Sequence, residues 1–165
     1  RNVADDAVDA IADKIALATV TYGMVASNRG KDVTFDIDEA VSLEGDTGPY
    51  VQYATTRAYS ILDDAPAIPA VEARHPAAVT ATAHPLTYHL GRYPLVLDRC
   101  EERYDAAPLA HYLLELAHVF NSFYHKNRVL DSESAAAERL VLTDATAQVF
   151  ENGLGLLGIE TLAEM

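Results

Sequence analysis

Leu109-Ala110-His111-Tyr112-Leu113-Leu114-Glu115-Leu116-Ala117-His118-Val119-Phe120-Asn121-Ser122-Phe123-Tyr124-His125-Lys126 is the stretch that decides the fold. Leu109, Leu113, Leu116, Ala117, Phe120, Phe123 and Tyr124 recur at i, i+4, i+7, i+8 and i+11, the spacing of a single α-helical face. A stripe this broad needs cover from several sides, so further helices are expected around it.

Upstream, Val3, Ala7, Val8, Ile11, Ile15 and Ala18 keep helical spacing with no breaker before Asn28-Arg29-Gly30. The spacing predicts a helix over 3–27, bent near Thr19, Val20 and Thr21. Val33-Thr34-Phe35 reads as a short extended connector, and Asp36 as the cap of a brief helix through Ile37, Ala40, Val41 and Leu43. After the turn Gly45-Asp46-Thr47-Gly48, Pro49 fits the first turn of a helix capped by Thr47 or Gly48 and running to about Asp63. Residues 65–85, with Pro66, Pro69, Pro76 and Pro85, read as a loop. A helical pair follows, Leu86 to Arg92 and Leu95 to Tyr104, divided at Pro94. The last helix opens at Ser132 or Ser134 and ends near Gly155 and Gly158. Five or six helices with almost no strand make an all-α helical bundle.

The chain has 165 residues, enough for one good core, and half of them are hydrophobic, which excludes wholesale disorder. No apolar run approaches the roughly 18 residues that span a bilayer, so no membrane partner is expected. Cys100, the single cysteine, excludes an internal disulfide and fits a reducing cytoplasm. The chain starts at Arg1 in an acidic helical phase, which is read as a piece of a longer chain. Net charge is −13, with three lysines beside nine arginines and the acid spread along the whole length. Such a coat keeps a protein soluble in concentrated salt, where the Debye length falls to about 3 Å at 1 M. A halophile is the expected source.

Candidate chemistry is sparse. Glu115-Leu116-Ala117-His118 has the Glu-x-x-His spacing of two-metal helical bundles, but its only other copy, Glu72-Ala73-Arg74-His75, abuts Pro76. A polar helix ridge is the preferred reading of Glu115 and His118, and a metal-binding bundle is the alternative. No nucleophile elbow or P-loop occurs, and Cys100 reads as a partly buried thiol, so no catalytic residue is assigned. Tyr50 and Tyr53 stand three apart at the start of a helix, near Gln52 and Arg57. Rings so placed either pack into the core with hydroxyls exposed or stack single-stranded bases, with phosphate at the helix N-terminus.

Asn28-Arg29-Gly30-Lys31-Asp32-Val33-Thr34-Phe35-Asp36 and Leu43-Glu44-Gly45-Asp46-Thr47-Gly48-Pro49-Tyr50-Val51-Gln52-Tyr53-Ala54 closely resemble arginyl-tRNA synthetases where these enter their DALR-type anticodon-binding domain. The resemblance continues through Tyr112 to Ala117, Phe120 to Tyr124, and Arg139-Leu140 to Glu160. It implies a helical junction segment over 1–46, following a catalytic domain not contained in this chain, and an anticodon-binding bundle over 47–165. It implies a parent class I enzyme that joins arginine to tRNA(Arg) using ATP and magnesium; its HIGH-like and KMSK-like signatures do not occur in these residues, so no cofactor is expected in this piece. Partners implied are tRNA(Arg) and the catalytic domain. Carried over by motif, the RNA-binding residues are Tyr50, Tyr53, Tyr124 and Met165, with Gln52 and Arg57 as neighbours. Many relatives close with arginine-methionine, whereas Glu164 precedes Met165 here and replaces a cation with an anion. A purely structural helical docking module is the remaining alternative.

Overall fold

The computed structural model describes residues 5–27, 32–33, 36–65, 67, 85–127, 129 and 136–165. Within them the chain forms α1 (Asp5–Ala26), α2 (Ile37–Ala40), α3 (Gly48–Asp63), α4 (Pro85–Arg103), α5 (Ala107–Lys126) and α6 (Ala136–Leu156), with no strand among the described residues.

Local chemistry sets several of these boundaries. The carboxylate of Asp36 accepts from the Glu39 N–H and starts α2. Thr47, in extended geometry, caps α3: its Oγ1 accepts from the Tyr50 N–H at 3.1 Å and donates to the Ser42 carbonyl at 2.6 Å. At the far end Gly158, at φ +73°, stops α6; its N–H bonds the Gly155 carbonyl at 3.0 Å and Ile159 N–H bonds that of Leu154 at 2.9 Å. Gly155 lies inside the helix, and only Gly158 acts as the stop. The expected caps at Ser132 and Ser134, and nearly all of the expected 65–85 loop, lie outside the described residues.

One expectation is corrected. Pro94 does not divide two helices; α4 runs through it. Pro94 is exposed, and Leu86 and Val96 anchor the helix in the core on either side of it. The same helix ends on Tyr104, which takes the left-handed position at φ 48° that glycine usually fills.

Helix α5 lies at the centre, touching α1, α3, α4 and α6. Leu113, Leu116 and Phe120 are fully buried, and Phe120 meets Phe150 of α6 edge-on at 6.3 Å. From α1, Ala18 and Tyr22 join the same core, and the Tyr22 hydroxyl donates to the Ala110 carbonyl at 3.1 Å. Burial pushes the Tyr22 phenol far up, so it remains a neutral donor. Buried Thr55, Thr143 and Thr146 each satisfy their hydroxyl on the carbonyl four residues back. Cys100 is half-buried and burial raises its thiol pKa, which leaves little thiolate.

Helices α1 and α3 approach most closely at Gly48, where a Cβ would stand 2.6 Å from the Ala18 carbonyl oxygen and 2.8 Å from Tyr22 Cβ. Backbone cannot yield there as a side chain would. Gly48→Ala is expected to cost about 1–3 kcal/mol or more in denaturant unfolding. Gly91→Ala, on α4 with nothing within 4 Å of its Cβ position, is expected to gain about 0.5–1 kcal/mol by removing a helical glycine.

Candidate nucleic-acid interface

On α3, Tyr50, Tyr53 and Arg57 fall at i, i+3 and i+7 and share one face. Helix α5 crosses beside that face with Asn121 and Tyr124 one turn apart. The Arg57 guanidinium lies over two rings, 4.7 Å from the Tyr53 centroid and 5.2 Å from that of Tyr124. One of its terminal nitrogens donates to Asn121 Oδ1 at 2.5 Å and the other to the Tyr53 hydroxyl at 2.8 Å. Beside this cluster opens a cleft of about 560 Å³, closed by Ile11 of α1, Ser60 of α3, and Glu164 and Met165 of the segment after α6.

The hydrogen bonds leading away from Arg57 have a fixed direction. Arginine only donates, so Asn121 accepts through Oδ1 and donates through Nδ2 to the Tyr50 oxygen at 2.8 Å. The Tyr50 hydroxyl also lies 3.0 Å from His118 Nδ1, and His118 Nε2 stands 3.6 Å from Asp46 Oδ1. The Tyr50 and His118 rings also pack at 4.9 Å.

Of the six residues expected to meet RNA, the fold gathers Tyr53, Arg57, Tyr124 and Met165 around the cleft. Tyr124 and Met165 are each 38% exposed. Tyr50 does not line the cleft; it is half-buried one turn away and supports Asn121. Gln52 departs from expectation: it is 0% exposed, on a different face of α3, and its Nε2 donates to the Glu160 carbonyl at 2.8 Å. It has no surface to offer a ligand.

Residue-by-residue reading overlooked Asn121 and Asp46, and placed His118 on a polar helix ridge with a metal site as the alternative. A same-face search on α5 pairs Asn121 with His118, but only the crossing of two helices shows what lies opposite. Nor do Glu115 and His118 converge: Glu115 faces Arg92 at 3.5 Å and His118 faces Tyr50 and Asp46. No group of three potential ligands forms among the described residues, and Glu72 to His75 lies outside them. No described helix is long and apolar enough to cross a membrane.

Comparison with known proteins adds an independent finding. Residues 51–165 match the family described as the DALR anticodon binding domain. The arginine–tRNA ligase of Halobacterium salinarum is 67% identical over 162 residues, which are 98% of this chain and 26% of that protein. That of Limosilactobacillus reuteri is 36% identical over 95% of this chain and 28% of its own length. The chain thus spans about a quarter of the length of these relatives. Among solved structures, Thermus thermophilus arginyl-tRNA synthetase superposes with a TM-score of 0.80 at 33% identity, covering 92% of this chain and 27% of that one. The Plasmodium falciparum arginyl-tRNA synthetase shares the fold, with a TM-score of 0.83 at 23% identity over 96% of this chain and 28% of its own.

Asn121 ties the two helices of the site together. Asn121→Ala is expected to cost about 1–2 kcal/mol in thermal unfolding, because it removes a bond to a charged donor at a half-buried position. Phe123→Ala, one of the core positions on the same helix, is expected to cost about 3–5 kcal/mol.

Proposed function

The chain belongs to the DALR anticodon-binding domain family, and from that premise we propose that it is the tRNA(Arg)-recognising domain of an arginine–tRNA ligase. The anticodon loop enters the cleft between α3, α5 and the segment carrying Met165. The observation that carries this reading is Arg57 held against two tyrosine rings at the mouth of an open cleft. Tyr124 and Met165 offer surface on which an unstacked base can lie, at about 1–3 kcal/mol per base. Arg57 uses two N–H groups internally and keeps others for a base edge or a phosphate. Tyr53 lines the cleft beside them, and Tyr50 supports this surface from behind through Asn121.

The remainder of the proposed ligase supplies the chemistry. Arginine activation with ATP and magnesium is assigned to the catalytic domain, since the nucleotide-binding signatures do not occur in these residues. Leu17, Val20 and Met24 share one face of α1 and are each more than half exposed, a stripe suited to docking that domain. The parent enzyme works in the cytoplasm of a halophile, a reading supported by the acid excess and the 67% identity to the Halobacterium salinarum ligase.

A net charge of −13 changes how such a domain holds RNA. Phosphate contacts weaken steeply as salt rises, whereas stacking does not. tRNA(Arg) affinity is therefore expected to fall less between low and molar salt than for a basic RNA-binding module, as a gel-shift titration would read. A steep negative slope would overturn the stacking mechanism. Tyr124→Ala is expected to weaken binding about 5- to 150-fold, the loss of one stacked base, with little change in melting temperature. Equal affinity for tRNA(Arg) and for the same tRNA with an altered anticodon would refute the proposed recognition.

A further inference from the structure

Beyond Gly158 the chain turns back along α3, where the Tyr59 hydroxyl lies 3.4 Å from Thr161 Oγ1 and two buried side chains fasten it more closely. Gln52 Nε2 donates to the Glu160 carbonyl at 2.8 Å, and the Thr56 hydroxyl lies 2.9 Å from the Leu162 carbonyl. Gln52 and Thr56 are four apart on a helix, an axial step of about 6 Å. Their two carbonyl partners are two residues apart in non-helical chain, whose reach is at most about 7 Å. Helix and strap therefore advance in step. Ile159 and Leu162 fill the core on either side of the first fastening. The strap ends with Met165 against the cleft that Tyr53, Arg57 and Tyr124 line.

Two features show that this fastening is specific rather than incidental packing. The Gln52 Oε1 atom is buried and has no hydrogen-bond partner. A methionine of similar size would fill the space without an orphaned acceptor, so what the position gains from glutamine is the Nε2 donor. Thr56 shares its single proton between the Leu162 carbonyl and the Gln52 carbonyl of its own helix at 3.1 Å. Both anchors are neutral and buried. The Lys14–Glu160 pair, at 2.8 Å, is well exposed on both sides, contributes little, and is screened in salt.

We infer that Gln52 and Thr56 are positioning residues: they fix residues 159–165 on α3 and thereby hold Met165 in the RNA-facing cleft, by contacts that salt does not weaken. The link to RNA rests on the proposed function; the fastening does not.

The test uses the intact protein carrying Gln52→Met and Thr56→Val, singly and together, with Met165→Ala as reference. Amide hydrogen exchange over 159–165 is expected to accelerate about tenfold or more in the double variant, as when one or two net hydrogen bonds leave a local opening equilibrium. Exchange in the 109–126 helix stays unchanged, which shows that the fold is intact. tRNA(Arg) affinity falls by the factor that Met165→Ala alone produces, and adding Met165→Ala to the double variant lowers it no further. Unaltered exchange over 159–165 overturns the inference, as does full additivity with Met165→Ala. Faster exchange together with a Met165→Ala protein that binds tRNA(Arg) normally upholds the fastening and removes Met165 from the proposed RNA contacts. Because Thr56→Val is nearly isosteric, it keeps the test decisive if Gln52→Met fails to fold.

Discussion

Helix α5 must bury an apolar face against four other helices and still leave one edge free, and that division governs everything around it. Leu113, Leu116 and Phe120 occupy the enclosed side, where close packing penalises any change of volume. On the free edge, His118, Asn121 and Tyr124 are carried by helical turns whose opposite side is packed into the core. A half-buried asparagine can then hold an arginine at a set distance. On a loop the same contact would carry a larger entropic cost.

An acidic protein proposed to bind RNA faces an electrostatic conflict, and the candidate site is organised to reduce it. Among the described residues the one cation lining the cleft, Arg57, is shared by two rings and an amide instead of waving in solvent. Its planar charge therefore acts as a stacking surface as well as a charge. Such contacts are short-ranged and lose little when ions crowd the surface. The fastening of residues 159–165 follows the same principle: its firm contacts are buried and neutral, and its ion pair is peripheral.

Gln52 and Glu115–His118 show how motif spacing misleads in opposite directions. Gln52 sits between two tyrosines in sequence, yet the 100° turn per residue places it on another face, where it serves the strap. Glu115 and His118 do share a face, as Glu-x-x-His predicts, but each meets a different neighbour, an arginine on α4 and a tyrosine on α3. Spacing fixes which side chains leave a helix together, and the neighbouring helices fix what they meet.

The amino-acid order alone determined the helical class, the course of α5, the cap at Asp36, a cap at Thr47 or Gly48 and a stop near Gly155 and Gly158, because periodicity and capping act within a few residues. It also carried Tyr53, Arg57 and Tyr124 as related residues. Pro94 misled because the helix on either side of it is held by core contacts of Leu86 and Val96, and such packing is not a matter of local order. Only the tertiary structure decided that Arg57 lies between rings from two helices, that Arg57, Asn121 and Tyr50 form one hydrogen-bonded series reaching His118, and that Gln52 faces inward. Those facts depend on where helices cross, and a crossing is set by the summed packing of residues far apart in the chain.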